Sequence, residues 1–189
     1  MSEASTDPTV LIVDDEAEVA DVYALRLRNE YDTETAYGGE AALDRIDDDV
    51  DVALLDRRMP DVSGDEVLAE IRDRGIECRV VMITAVDPDF DIVDMPFDDY
   101  LNKPVEKREL VGAIERQLTA RRYDERLTDY LEVTSKLGLL QAEKSQAELD
   151  AHEEVDTLRE RAAELKSELD EVLAEFDDAA AAFQEINPD

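Results

Sequence analysis

The sequence predicts a doubly wound α/β fold, a five-stranded parallel sheet with helices on both faces, followed by an α-helical hairpin or coiled coil. Three observations carry this reading. Short apolar runs alternate with helix-like segments up to about Leu118, each run ends in polar residues able to do chemistry, and from Ala151 onward apolar residues recur in steps of four and three.

The strands are expected at Thr9 to Val13 (TVLIV), Thr33 to Ala36, Asp51 to Leu55 (DVALL), Arg79 to Ile83 (RVVMI) and Asp99 to Leu101. Their β-branched and leucine content with few charges suits strands covered on both faces. Between them, Glu16 to Asn29, Glu40 to Ile46 and Gly64 to Arg72 carry apolar residues at helical spacing, such as Val19, Val22 and Leu25, or Val67 and Ile71. Ser63-Gly64-Asp65-Glu66 reads as a capping box opening the third helix. Val86 to Asp98 holds Pro88, Pro96 and repeated aspartates, so the helix expected between the last two strands should be short or irregular.

Past a helix starting near Glu106, no breaker interrupts a pattern that carries Tyr123, Leu127, Tyr130, Leu131 and Leu137. Ser145-Gln146-Ala147-Glu148 is a second capping box, which places a turn near Gln141 to Ser145. The final stripe runs through Val155, Leu158, Ala162, Leu165, Leu169, Val172, Phe176, Ala179, Phe183 and Ile186. A helix of that length, roughly 54 Å, cannot bury its stripe alone, so an antiparallel hairpin or a parallel dimer must cover it. The expected organisation is a polar tail over 1–8, an α/β domain over 9–118 and a helical domain over 119–189.

Charge restricts the partners. Lys and Arg total 20 against 52 Asp and Glu, a formal charge of -32, and the excess is shared: 12 basic and 32 acidic residues up to Leu118, 8 and 20 beyond it. Neither part has an electrostatic grip on nucleic acid or anionic membrane. The 43% apolar content argues for a folded protein in concentrated salt, where screening shortens like-charge repulsion, rather than for disorder. The lone Cys78 excludes an internal disulfide, no run is long enough for a membrane span, and Met1 to Pro8 lacks signal-peptide character, so a cytoplasmic location is expected.

Parallel α/β sheets gather their chemistry at the carboxyl ends of the strands. Here those ends deliver Asp14 and Asp15, then Asp56, then Thr84, and finally Lys103. Two unit charges 4 Å apart repel by ~1 kcal/mol in water and ~4 kcal/mol at an effective dielectric of 20, so the carboxylates require a cation. Oxygen ligands with a partly open shell suit Mg²⁺, which keeps room for a phosphoryl oxygen.

Val13-Asp14-Asp15-Glu16, Leu54-Leu55-Asp56 with Met59-Pro60 and Ser63-Gly64, Ile83-Thr84-Ala85, and Tyr100-Leu101-Asn102-Lys103-Pro104 resemble, in order, the motifs of the response regulator receiver domain, a flavodoxin-like fold. The resemblance implies a two-component response regulator in which Asp56 takes a phosphoryl group from a sensor histidine kinase. It further implies Mg²⁺ bound by Asp15, Asp56 and the backbone carbonyl of Arg58, with Asp14 acting through a water. Thr84 and Lys103 would meet the phosphoryl group, and Tyr100 would be the switch aromatic. Such a domain is not an enzyme beyond catalysing its own phosphorylation and dephosphorylation. Arg58, two residues after Asp56, borders the path of hydrolytic water, which leaves the phosphoryl lifetime open.

The tail, with TSKLGLLQAEKSQAELDAHEEV, is similar to the HalX domain that follows receivers in salt-loving archaea. With its acidic balance, the expected output is helical and does not bind DNA, and its partner through the C-terminal helices is a second copy or another protein. His152, the single histidine, is expected to be an exposed helix residue. Two other classes fit parts of the sequence. A haloacid-dehalogenase-type phosphatase also uses Asp, Thr and Lys, but Asp14-Asp15-Glu16 lacks its Asp-x-Asp spacing. A scaffold with a vestigial pocket would work through the coiled coil alone.

Overall fold

The computed structural model describes residues 7–85 and 90–186, with backbone alone for residue 91 and residues 177–186. The expected tail up to residue 6, the Val86 to Asp89 part of the stretch expected to be irregular, and the side chains of Ala179, Phe183 and Ile186 lie outside that description. The chain divides into two compact units, Met1–Leu118 and Thr119–Asp189.

The first unit is a parallel sheet of β1 (Thr9–Val13), β2 (Asp32–Ala36), β3 (Val52–Asp56), β4 (Arg79–Thr84) and β5 (Asp99–Asn102), in the order β2-β1-β3-β4-β5. Side chains alternate between the faces of each strand. Leu11, Val13, Ala53, Leu55, Val80 and Met82 pack under α2 (Gly39–Arg45) and α3 (Gly64–Asp73), whereas Val10, Ile12, Val52, Leu54, Val81 and Ile83 pack under α1 (Ala17–Leu27) and the first turns of α4 (Lys107–Glu143). Every residue of β3 is buried, as expected of a central strand.

Helix α1 departs from the sequence reading. Val22 and Leu25 are 44% and 56% exposed, and the buried stripe is Ala20, Tyr23 and Leu27. Two apolar stripes compete on this helix, and the one with alanine wins because small side chains let the helix approach the sheet closely. Helix α3 behaves as expected, with Val67, Leu68 and Ile71 buried and the Ser63 capping box formed in both directions. Between β4 and β5 the described residues form only a 3₁₀ turn, Phe90–Ile92, with Phe90 and Val93 strongly exposed.

In the second unit, α4 continues to Glu143, a four-residue α5 (Gln146–Leu149) follows a complete Ser145 capping box, and α6 spans Glu153–Ile186. Arg122 pairs with Glu175 at 2.6 Å and Arg126 with Glu168 at 2.7 Å, so position falls along α6 as it rises along α4. The arrangement is an antiparallel hairpin. Leu149, Val155, Leu165, Leu169 and Val172 are buried in it, while Tyr123, Leu127, Tyr130, Leu137, Leu158, Ala162 and Phe176 are half-buried. Leu131, expected on the apolar stripe, is 54% exposed. His152 is exposed.

Candidate functional site

The strand order makes β1 and β3 neighbours while the chain passes outward to β2 between them, which opens a crevice at their carboxyl ends. Asp14 and Asp15 follow β1 directly, and Asp56 is the last residue of β3. One carboxylate oxygen from each of Asp14, Asp15 and Asp56 lies within 4.8 Å of the others. Asp14 and Asp56 are 2% and 7% exposed, while Asp15 faces solvent. Lys103, just past β5, reaches back so that its Nζ lies 2.6 Å from Asp14 Oδ2 and 3.5 Å from Asp56 Oδ1.

Local structure fixes each of these groups. Asp14 Oδ1 accepts from the Glu16 amide at 2.9 Å, which aims its other oxygen at Lys103. The Lys103 amide donates to the Thr84 carbonyl at 2.7 Å, tying the lysine to the end of β4. Thr84 itself is fully buried. Gly64 explains why glycine opens α3: an added Cβ would stand 2.2 Å from the Asp56 carbonyl oxygen. The helix start therefore presses against the backbone that carries Asp56. Arg57 pairs with Asp65 of α3 at 3.0 Å.

Burial raises the Asp56 pKa, with Lys103 opposing and Asp14 adding to the rise, and the Arg58 amide donating to the carboxylate. Burial alone would lower the Lys103 pKa, but its hydrogen bond to Asp14 and the charges of Asp56 and Asp14 outweigh that and raise it. A buried carboxylate held against its own preference gains from an added cation. The donor set of clustered carboxylate oxygens, one of them open to solvent, fits Mg²⁺.

Two predicted residues stand apart from the carboxylates. Tyr100 is half-buried on β5, its ring 5.7 Å from that of Phe97, and it packs on the α2–α3 face of the sheet. The Arg58 side chain is exposed, and its backbone is what faces Asp56. The sequence reading missed Tyr23 and Arg26 of α1, whose polar atoms meet the segment after Lys103. An aromatic and an arginine on an amphipathic helix carry no signal of that in sequence.

A 2-1-3-4-5 parallel sheet with clustered carboxylates at its switch point and a lysine bridging them defines a receiver-type domain. The chain belongs to the response regulator receiver domain family, whose model matches residues 10–115, and a HalX domain follows at 119–186. It is 46% identical over 178 residues to a Haloferax volcanii protein named as a candidate transcriptional regulator, an alignment covering 93% of this chain and 29% of that protein. The chain thus spans under a third of the length of that relative.

Among solved structures, a CheY-like receiver domain protein from Methanospirillum hungatei is similar at 25% identity with a TM-score of 0.56, over 62% of this chain and 98% of the other. The Thermotoga maritima response regulator TrrA, in complex with Mg²⁺-BeF, is similar at 28% identity and a TM-score of 0.50, over 58% and 98%. Receiver and HalX domains together mark a response regulator of two-component signalling. No described helix is long and apolar enough to cross a membrane.

Proposed function

We propose that Asp56 accepts a phosphoryl group from a sensor histidine kinase and that the helical hairpin passes the signal on by protein contact. The observation that carries this is the Lys103 ammonium seated between Asp14 and Asp56 beside a cluster of carboxylate oxygens. In the transfer, an Asp56 oxygen forms a bond to phosphorus as the bond to the donor breaks, and the leaving group departs with the electron pair. Lys103 and the Thr84 hydroxyl donate to the phosphoryl oxygens. Asp14, Asp15 and Asp56, with the Arg58 carbonyl, would hold Mg²⁺. The charge neutralisation that Mg²⁺ would supply there is at the phosphoryl oxygens.

Burial of Thr84 and the packed Tyr100 supply the two elements of a switch that reads the new charge. Moving a two-state equilibrium from 1:99 to 99:1 needs ~5.5 kcal/mol, and hydrogen bonds to charged groups contribute ~1.5–3 kcal/mol each, so Thr84 and Lys103 support a partial shift. The hairpin, with 8 basic and 20 acidic residues, has no charge basis for gripping DNA. If the protein acts in transcription, as the name of its Haloferax relative suggests, this hairpin contributes through protein contacts rather than by gripping DNA itself.

Incubation with Mg²⁺ and a small acyl phosphate in high salt tests this by intact mass. One added phosphate on the native chain and none on Asp56→Asn is expected. Equal uptake by both would remove Asp56 from the reaction.

A further inference from the structure

Lys103 is a long side chain whose ammonium must be held to within a hydrogen-bond length of two carboxylates, and an unrestrained lysine samples many rotamers. Its main chain is tied on one side by the hydrogen bond from its amide to Thr84. The other side is tied from α1. Arg26 Nη1 donates to the Val105 carbonyl at 2.8 Å, across 79 residues of chain. One turn earlier, Tyr23 is only 7% exposed, and the Val105 amide lies near enough to its hydroxyl to favour the ionised form slightly against the effect of burial. The Arg26 guanidinium carbon sits 5.9 Å from the centre of the Tyr23 ring, so the two side chains brace each other.

The Val105 carbonyl is therefore held by α1, its amide faces the Tyr23 hydroxyl, and Val105 itself is 4% exposed. A buried tyrosine and an arginine converging on the backbone of one residue are more than the packing of a helix on a sheet requires. We infer that Tyr23 and Arg26 are positioning residues that clamp the backbone at Val105 and thereby set the Lys103 ammonium between Asp14 and Asp56. This rests on the reading of Asp56 as phosphoacceptor and names what regulates the geometry of that site. Neither residue touches the phosphoryl group.

The test measures the rate of phosphate uptake from the acyl phosphate at saturating Mg²⁺, and Mg²⁺ affinity by calorimetry, for the full chain. The variants are Tyr23→Phe, Arg26→Met, Arg26→Lys, Lys103→Ala and the combinations with Lys103→Ala. Tyr23→Phe and Arg26→Met are each expected to slow uptake by about threefold to tenfold, the effect of one lost hydrogen bond, with partial rescue in Arg26→Lys. In the Lys103→Ala background the same changes should have no further effect, because their influence passes through the lysine.

Mg²⁺ affinity gives a readout independent of phosphorylation. An ammonium no longer held beside Asp14 competes less with the cation, so Tyr23→Phe should bind Mg²⁺ more tightly, and only when Lys103 is present. If native protein takes up no phosphate, the phosphoacceptor reading fails while this affinity difference still decides the clamp. Unchanged rates and affinities, or changes that persist equally without Lys103, would overturn it.

Discussion

The two units of the chain store information differently. In the first, all of β3 is buried and the strand ends bring residues as distant as Asp14 and Lys103 to 2.6 Å. In the second, the described buried apolar residues are confined to Leu149, Val155, Leu165, Leu169 and Val172 along a single seam. A sheet with two covered faces fixes positions in three dimensions and supports chemistry. A two-helix hairpin fixes one line of contact and leaves the rest of its surface to water or a partner.

Truncation in each unit sharpens this contrast most. Leu54→Ala, at a site 1% exposed, should cost about 2–5 kcal/mol of stability, and Leu139→Ala, 70% exposed in the hairpin, no more than about 0.5 kcal/mol. Urea unfolding of the full chain measures both. A comparable cost at Leu139 would show that the hairpin buries this surface in solution, against a second copy or another part of the protein.

A smaller effect concerns pH. Burial, with Glu115 and Glu30 adding, pushes the Tyr31 pKa from 10.0 up to about 12. Because the folded value is above the unfolded one, the protonated phenol contributes stability in full below pH 10, and that contribution is lost as pH rises toward 12. Urea midpoints should fall across this window more steeply in the native chain than in Tyr31→Phe. Identical slopes would mean that Tyr31 is not held in its buried place.

The strand ends were legible in the sequence because a parallel sheet gathers its carboxyl ends in one place whatever the intervening chain does. Asp14, Asp15, Asp56 and Lys103 could thus be expected near one another before any distance was known, with Thr84 at the end of the neighbouring strand. The phase of α1 was not legible. Val22 and Leu25 look more apolar than Ala20 and Tyr23, and only the fit against the sheet decides which stripe turns inward. For the same reason the contacts of Tyr23 and Arg26 with Val105 left no trace in sequence spacing.

In the hairpin, the four-three period announced a helix and a seam, and the Ser145 capping box announced the turn. It did not disclose which residues of α4 oppose which of α6. That register is marked in the structure by the Arg122–Glu175 and Arg126–Glu168 pairs, which are charge choices visible only once the two helices are side by side. Leu131 shows the limit of the pattern, since an apolar residue in a helical run can still face solvent.

The most direct measurement is the position of the phosphoryl group. After reaction with a small acyl phosphate and Mg²⁺ in high salt, hydride reduction of the acyl phosphate and peptide mass mapping should place the label at Asp56 alone. A label at Asp14, at Asp15 or spread among the many surface carboxylates would contradict the assignment of the β3 end as the nucleophile.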